Sequence, residues 1–301
     1  MLEFSAVLDF IQANTWLWLT IVAVVSLVVG SFLNVVIHRL PLMMERDYQQ
    51  ETVAYFGLAA DTGLSDELKA LPARYNIAVP ASRCPSCQHQ LGLLDNIPLL
   101  SWALLKGQCR YCQAPISARY PAVELLTAIL STTVAWHFGT SYLSLLAIVV
   151  TWALVALTFI DLDKMLLPDQ ITLPLLWLIL LASVAGVGEA PADALVGAAA
   201  GYLSLWSVYW LFKLLTGKEG MGYGDFKLMA VFGALLGASM LPFIILCSSV
   251  VGAVFGIVML KRQQQGLANP IPFGPYIAIA GWIAMLWGES ITQWYLAKLA
   301  L

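Results

Sequence analysis

Charge is scarce in this sequence. Only 11% of its 301 residues are Asp, Glu, Lys or Arg, where a soluble protein carries roughly a quarter. Basic excess is missing too: the net charge is −3, which argues against a cationic surface for nucleic acid. The chain has no glycine-rich dinucleotide fingerprint and no βαβ pattern around a Cys-x-x-Cys, so Rossmann-type cofactor binding and thioredoxin-like redox chemistry are set aside. In their place stand long uncharged runs, a hydrophobic content of 60% and eleven tryptophans, with a mean hydropathy of +0.81. Such a composition fits a protein with two membrane–water interfaces to anchor.

A membrane span needs about 20 apolar residues. Suitable runs lie at 16–37, 120–138, 142–160, 171–188, 195–212 and 271–288, and a longer one at 228–260 is divided by Gly237 and Pro242. The sequence therefore predicts an all-α polytopic membrane protein with about eight transmembrane helices, the sixth of them short. Eight of the fifteen basic residues fall between His38 and Arg119, and none in the first fourteen positions. An outside N-terminus then places Lys164, Lys213, Lys218, Lys227, Lys261 and Arg262 inside and only Lys298 outside, in agreement with the positive-inside rule. The first run lacks a preceding basic region and a small-residue cleavage pattern, so it is expected to be retained and not removed as a signal peptide. Pro41 is expected to end the first helix, leaving His38 and Arg39 at its C-terminus. Gly30, Ser31 and Asn34 offer a face for close helix packing. Three parts are expected: 1–40 as the first helix, 41–119 as a small cytoplasmic zinc-binding domain inserted after it, and 120–301 as the remaining membrane region. Within the second part, 45–70 reads as a solvated, mixed-charge helix.

Cys84-Pro85-Ser86-Cys87 is followed after 21 residues by Cys109-Arg110-Tyr111-Cys112. Two such knuckles supply four thiolates for a tetrahedral structural Zn²⁺ site, and a cytosolic setting disfavours two disulfides. Four cysteines fill that site, so His89 is left as a surface residue; Cys247 reads as a small buried hydrophobe. Between the knuckles runs Asp95-Asn96-Ile97-Pro98-Leu99-Leu100-Ser101-Trp102. Its apolar residues either dock the domain on membrane helices, or Asp95 and Asn96 help line a small-molecule site. Glu124, in the first turn of the second span, is ordinary as an acid at a helix N-terminus and is also a site candidate.

Two acidic clusters stand at the inner boundary. Asp161, Asp163 and Asp169 occupy nine residues at the end of the third span, and Gly220-Met221-Gly222-Tyr223-Gly224-Asp225 precedes the sixth. At i and i+2, Asp161 and Asp163 point to different helix faces, one toward the bundle and one toward water. Asp169 reads as an N-cap, and Asp225 reads as either an N-cap or a used carboxylate. Asp161 and Asp225 together suggest an aspartyl peptidase: two adjacent carboxylates share one proton, the ionised member takes a proton from water, and the neutral one donates to the scissile carbonyl. Lys227 is expected to favour ionised Asp225. A proton- or cation-coupled transporter is the opposing reading, although the acids sit at one boundary and no inverted repeat is visible. A scaffold without chemistry is the third.

The combination of Gly30-Ser31-Phe32-Leu33-Asn34, His38-Arg39-Leu40-Pro41, the cysteine knuckles, the Asp95–Trp102 string, Tyr120-Pro121 through Glu124, Asp161 to Pro168-Asp169, Gly222-Tyr223-Gly224-Asp225 and Pro272-Phe273-Gly274-Pro275 resembles the bacterial prepilin peptidases, or type IV leader peptidases, over nearly the whole chain. This resemblance implies an inner-membrane enzyme with two activities. One cleaves the basic leader of type IV prepilins and type II secretion pseudopilins after a glycine at the cytoplasmic face. The other N-methylates the new N-terminal residue with S-adenosylmethionine. The family's catalytic aspartates fall on Asp161 and Asp225, and its GxGD motif is shared with presenilin-like proteases. The four cysteines accord with bifunctionality. Glu124, Asp95 and Asn96 are the candidates for the methyl-donor site, because a sulfonium and an ammonium both favour nearby acids. The implied partners are prepilin and pseudopilin precursors and membrane lipid.

Overall fold

Pro41 does not end the first helix. The computed structural model describes residues 10, 13–57, 65–72, 74–263 and 272–299, and in it α1 (Thr15–Phe56) runs for 42 residues with Pro41 inside. At 1.5 Å per residue that is about 63 Å, roughly twice the thickness of a bilayer's hydrocarbon core. The uncharged run at 16–37 fills the first half, and charged residues occupy the second. A proline inside a helix forfeits one backbone hydrogen bond and crowds the carbonyl four residues earlier. Here Leu40, Pro41 and Leu42 are all buried, and the preceding Arg39 donates from Nη1 to the carbonyls of Asn76 at 3.0 Å and Ile77 at 3.4 Å. Tertiary packing thus overrides the local stop signal, and His38 and Arg39 sit inside the helix. The helix ends at Gly57, whose φ of 62° lets its N–H return to the Val53 carbonyl. Of the helix expected over 45–70, the first part continues α1 and Asp66–Lys69 forms a short helix; residues 58–64 lie outside the described ones.

The chain divides into two compact units, Met1–Thr133 and Val134–Leu301, with the boundary inside α2 (Arg119–Phe138). In the first unit, α1 and α2 meet at Gly30. A Cβ there would lie 2.8 Å from Glu124 Cα and 3.2 Å from Thr127 Cβ, so only glycine admits the approach. One turn on, the Asn34 side-chain amide donates to the Tyr120 carbonyl at 3.1 Å. The small and polar face expected from the sequence is a helix contact.

The second unit holds α3 (Tyr142–Lys164), α4 (Asp169–Val184), α5 (Pro191–Thr216), α6 (Tyr223–Leu236), α7 (Leu241–Gln263) and α8 (Gly274–Leu299). As expected, the long run of 228–260 breaks at Gly237, with φ 74°, and a 3₁₀ turn over Ala238–Met240 separates α6 from α7. Helix α6 is the core of this unit. It packs against α4, α5, α7 and α8, and Phe226, Leu228, Met229, Val231 and Phe232 are fully buried. Helix α5 approaches through a Gly197-Ala198-Ala199-Ala200-Gly201 stretch, a GxxxG motif. A Cβ on Gly201 would lie 2.9 Å from the Met229 carbonyl carbon, and one on Gly197 would overlap the Gly233 carbonyl. We expect Gly197→Ala to destabilise the protein by about 1–3 kcal/mol through overpacking, read as a lower thermal midpoint in detergent; an unchanged midpoint would show that the contact is loose.

Among the described residues, four stretches are long and apolar enough to cross a membrane: Thr15–Phe56, Tyr142–Lys164, Pro191–Thr216 and Ala238–Ile257. Helix α6, with 14 residues, reaches only about 21 Å. Large apolar side chains such as Val24, Val28, Leu181, Val184, Leu195 and Leu214 are exposed. That inverts a soluble surface and suits lipid. Among the described residues there is no β-strand, only isolated bridges in the cysteine segment.

Candidate active site

The two aspartates come from the ends of different helices of the second unit. Asp161 lies in the last turn of α3, which closes when Met165 takes φ 53° and returns its N–H to the Asp161 carbonyl at 2.9 Å. Asp225 is the third residue of α6, whose N-cap is Gly222. Asp225 is therefore within the first turn and is not itself the cap. Both side chains are buried, with 4% and 7% exposure, and they lie within coulombic reach of one another. Asp163, two residues after Asp161, is exposed, as the i, i+2 spacing predicts.

Leu167, in the turn from α3 to α4, borders Gly224 and Gly274. A Cβ on Gly224 would lie 2.7 Å from Leu167 Cβ, and one on Gly274 would lie 3.0 Å from Leu167 Cδ2. Gly274 also donates its N–H to Asp161 Oδ2 at 2.9 Å. The glycine of Pro272-Phe273-Gly274-Pro275 is thus the direct partner of the first aspartate. Residue-type reasoning missed it, because a backbone donor leaves no mark in the sequence.

Lys227 does not serve Asp225. Its ammonium binds both carboxylate oxygens of Asp169, at 2.6 and 2.7 Å. Asp169 is in turn the first residue of α4 after the N-cap Pro168, and not the cap itself. The ion pair corrects the expectation for Lys227 and ties the start of α4 to the start of α6, and the Pro168 cap corrects that for Asp169. Since Lys227 is a quarter and Asp169 about half exposed, the pair contributes less than about 1 kcal/mol. Lys227→Met is accordingly expected to leave stability within that margin; a drop of several degrees in the thermal midpoint in detergent would show that the pair is worth more.

The cysteine cluster is in the first unit. All four sulfurs of Cys84, Cys87, Cys109 and Cys112 lie within 4.8 Å of one another, and none forms a disulfide. Cys84 and Cys112 Sγ are 3.8 Å apart, and tetrahedral ligands about 2.3 Å from a zinc ion are about 3.8 Å from each other. The two knuckles repeat the same backbone. Cys84 N–H donates to His89 O and Cys109 N–H to Ala114 O, with Gln88 and Gln113 both at φ 58°. Backbone N–H groups of Cys87 and Ser86 pull the Cys84 thiol down to about 6, while burial and the neighbouring cysteines push the Cys112 thiol up to about 12, so the crowded thiols share protons unevenly. These donors fit a metal ion. His89 stays at the surface, its ring 3.6 Å from that of Tyr111 across the knuckles.

The three methyl-donor candidates have different environments. Glu124 is buried, and its Oε2 accepts the Leu99 N–H at 2.8 Å; the Ser31 hydroxyl also reaches this carboxylate. Leu99 adopts φ 58°, a costly backbone state for a leucine. Asp95 is engaged by Arg110 Nε at 2.7 Å and the Gly92 N–H at 3.1 Å; Arg110 foremost holds its carboxyl below the usual range. Asn96, at the end of the 3₁₀ turn Leu93–Asn96, is exposed. Trp102 folds into the second knuckle, its indole N–H on the Ile116 carbonyl at 3.2 Å.

Known proteins divide the chain in a similar way. The bacterial peptidase A24 N-terminal domain matches residues 24–138, and the type IV leader peptidase family matches residues 148–257. The chain is 57% identical over 295 residues to the prepilin leader peptidase/N-methyltransferase of Aeromonas salmonicida (strain A449), covering 98% of this chain and 99% of that protein. It is 53% identical to the protein of the same name from Stutzerimonas stutzeri and 51% identical to that from Pseudomonas aeruginosa, each covering 96% of this chain and 97% of the relative. No solved structure matches it. The chain belongs to the type IV leader peptidase family.

Proposed function

We propose that this membrane enzyme cleaves the leader of type IV prepilins and type II secretion pseudopilins, then N-methylates the residue exposed by the cut. The observation that carries the first activity is the pair of buried carboxylates on two helix ends, within reach of one another and inside the segment that matches the peptidase family. One ionised aspartate accepts a proton from water while the water oxygen bonds to the scissile carbonyl carbon. The other, protonated, gives its proton to the carbonyl oxygen. On collapse the C–N bond breaks, the leaving nitrogen takes the proton held by the first aspartate, and the second recovers its own. Nothing favours the transporter reading over this one, and the named relatives speak for the enzyme.

Methylation is supported by the names of the relatives. S-adenosylmethionine would supply an electrophilic methyl group. Glu124 is the best placed of the three candidates to face its sulfonium or the substrate ammonium, being buried beside the strained Leu99, with Asp95 and Asn96 in the neighbouring turn. The four cysteines would hold structural Zn²⁺, keeping the Asp95–Trp102 segment folded. In this reading, 1–40 is the first span, 41–119 the cytoplasmic zinc domain and 120–301 the peptidase region. Eight spans put the N-terminus outside and the aspartates at the cytoplasmic face of the inner membrane. There, a basic leader stays in the cytosol while its apolar helix stays in lipid. Its partners are prepilins and lipid, not nucleic acid. Incubating the purified protein with a prepilin, with and without methyl donor, tests the reading. N-terminal sequencing should give an unmodified mature end without donor and a methylated one with it; intact precursor in both would refute it.

A further inference from the structure

The reaction leaves open which aspartate begins ionised, and from the sequence Lys227 would favour Asp225. Asp225 has a backbone N–H beside it, that of Gly222 at the start of α6, but the buried backbone hydrogen bond of good geometry goes to Asp161. Gly274 is the first residue of α8, and its N–H donates to Asp161 Oδ2 at 2.9 Å in a buried position. The next residue, Pro275, has no N–H to offer, and the Tyr276 N–H turns back to the Phe273 carbonyl at 3.1 Å. Gly274 is therefore the donor that this turn offers to Asp161.

Space constrains the same residue. A Cβ on Gly274 would lie 2.7 Å from Asp161 Oδ2 and 3.0 Å from Leu167 Cδ2. Neither Gly274 nor Gly224 has a positive φ, so each is glycine for want of room and not for backbone freedom. Leu167 presses on both, and so fixes the backbone beside each aspartate from one side chain. A carboxylate accepting an N–H is matched in its ionised, acceptor-only form. Lys227, the cation that might have reversed this, is spent on Asp169.

We propose that Gly274 is a positioning residue of the peptidase: its amide holds the Asp161 carboxylate as the group that receives the proton from water, leaving Asp225 as the donor to the carbonyl oxygen. The proposal rests on the reading of Asp161 and Asp225 as the reacting pair. It also extends the site to a residue beyond the 148–257 segment that matches the peptidase family.

Gly274→Pro removes the donor at a helix position where proline's φ is suitable, but its ring also adds a Cβ where there is no room. Gly274→Ala keeps the donor but crowds the carboxylate. Both are expected to lower kcat for prepilin cleavage by about 100-fold, with KM changed less than about threefold. The thermal midpoint in detergent reports whether each variant is folded, since the methyl-transfer candidates belong to the other unit. Should Gly274→Pro fail that control, an ester in place of the 273–274 amide, introduced as glycolic acid in cell-free synthesis, removes the N–H with no added bulk and should give the same kcat loss. A folded Gly274→Pro or ester variant that cleaves at the native rate overturns the proposal. Asp161→Asn measured in parallel separates the two ideas. Cleavage by that variant would defeat the pair itself, whereas a dead Asp161→Asn beside a fully active Gly274→Pro would defeat only the role of Gly274.

Discussion

Asp161→Asn and Asp225→Asn are each expected to lower leader cleavage by about 1,000-fold or more, with the fold intact. Asparagine has nearly the shape of aspartate, so the buried positions beside Leu167 and the Gly274 amide should stay filled. What disappears is the exchange of one proton between two carboxylates, on which both the activation of water and the protonation of the carbonyl depend. General acid–base groups contribute about 10²–10⁴-fold each. Since the two act as one unit, the double variant should be no slower than the worse single variant. Additive losses would mean that the aspartates serve separate steps. Methyl transfer to a leaderless pilin peptide should survive in all three.

The second large effect is expected at the cysteines. Cys84 and Cys109 are the buried members of the cluster, at 4% and 2% exposure, while Cys87 and Cys112 are at the surface. Structural zinc contributes about 10–16 kcal/mol to folding in small knuckle domains, and the segment around these cysteines has only short helices and isolated bridges to hold it otherwise. Cys84→Ser should therefore purify without bound metal and transfer methyl groups at background level. Cleavage should persist within about tenfold, because both aspartates belong to the other unit. A Cys84→Ser protein that keeps one equivalent of zinc, or that methylates normally, would contradict this assignment.

How far the sequence could be read depended on whether a feature was local. The cysteine cluster follows from two repeated spacings. The division at Gly237 follows from a run too long for one helix, and the opposite exposures of Asp161 and Asp163 follow from helical period alone. Features set by distant contacts were hidden. Pro41 carries a strong local stop signal, and only the burial around it and the grip of Arg39 on residues 76 and 77 show why the helix continues. Lys227 is two positions from Asp225, yet pairs with Asp169, 58 residues away. The Gly274 amide meets Asp161 across 113 residues. The close approach of α5 to α6, where Gly197 and Gly201 meet Gly233 and Met229, was hidden in the same way.

The most direct test of two chemistries on one chain is the intact mass of a prepilin after incubation with S-adenosylmethionine and native, Asp225→Asn or Cys84→Ser enzyme. Native enzyme should yield mature pilin carrying one methyl group. Asp225→Asn should leave the precursor whole and unmethylated, since no new N-terminus is exposed, and Cys84→Ser should yield mature pilin without the methyl group. Cleaved product from a well-folded Asp225→Asn enzyme would contradict the aspartate mechanism at its root.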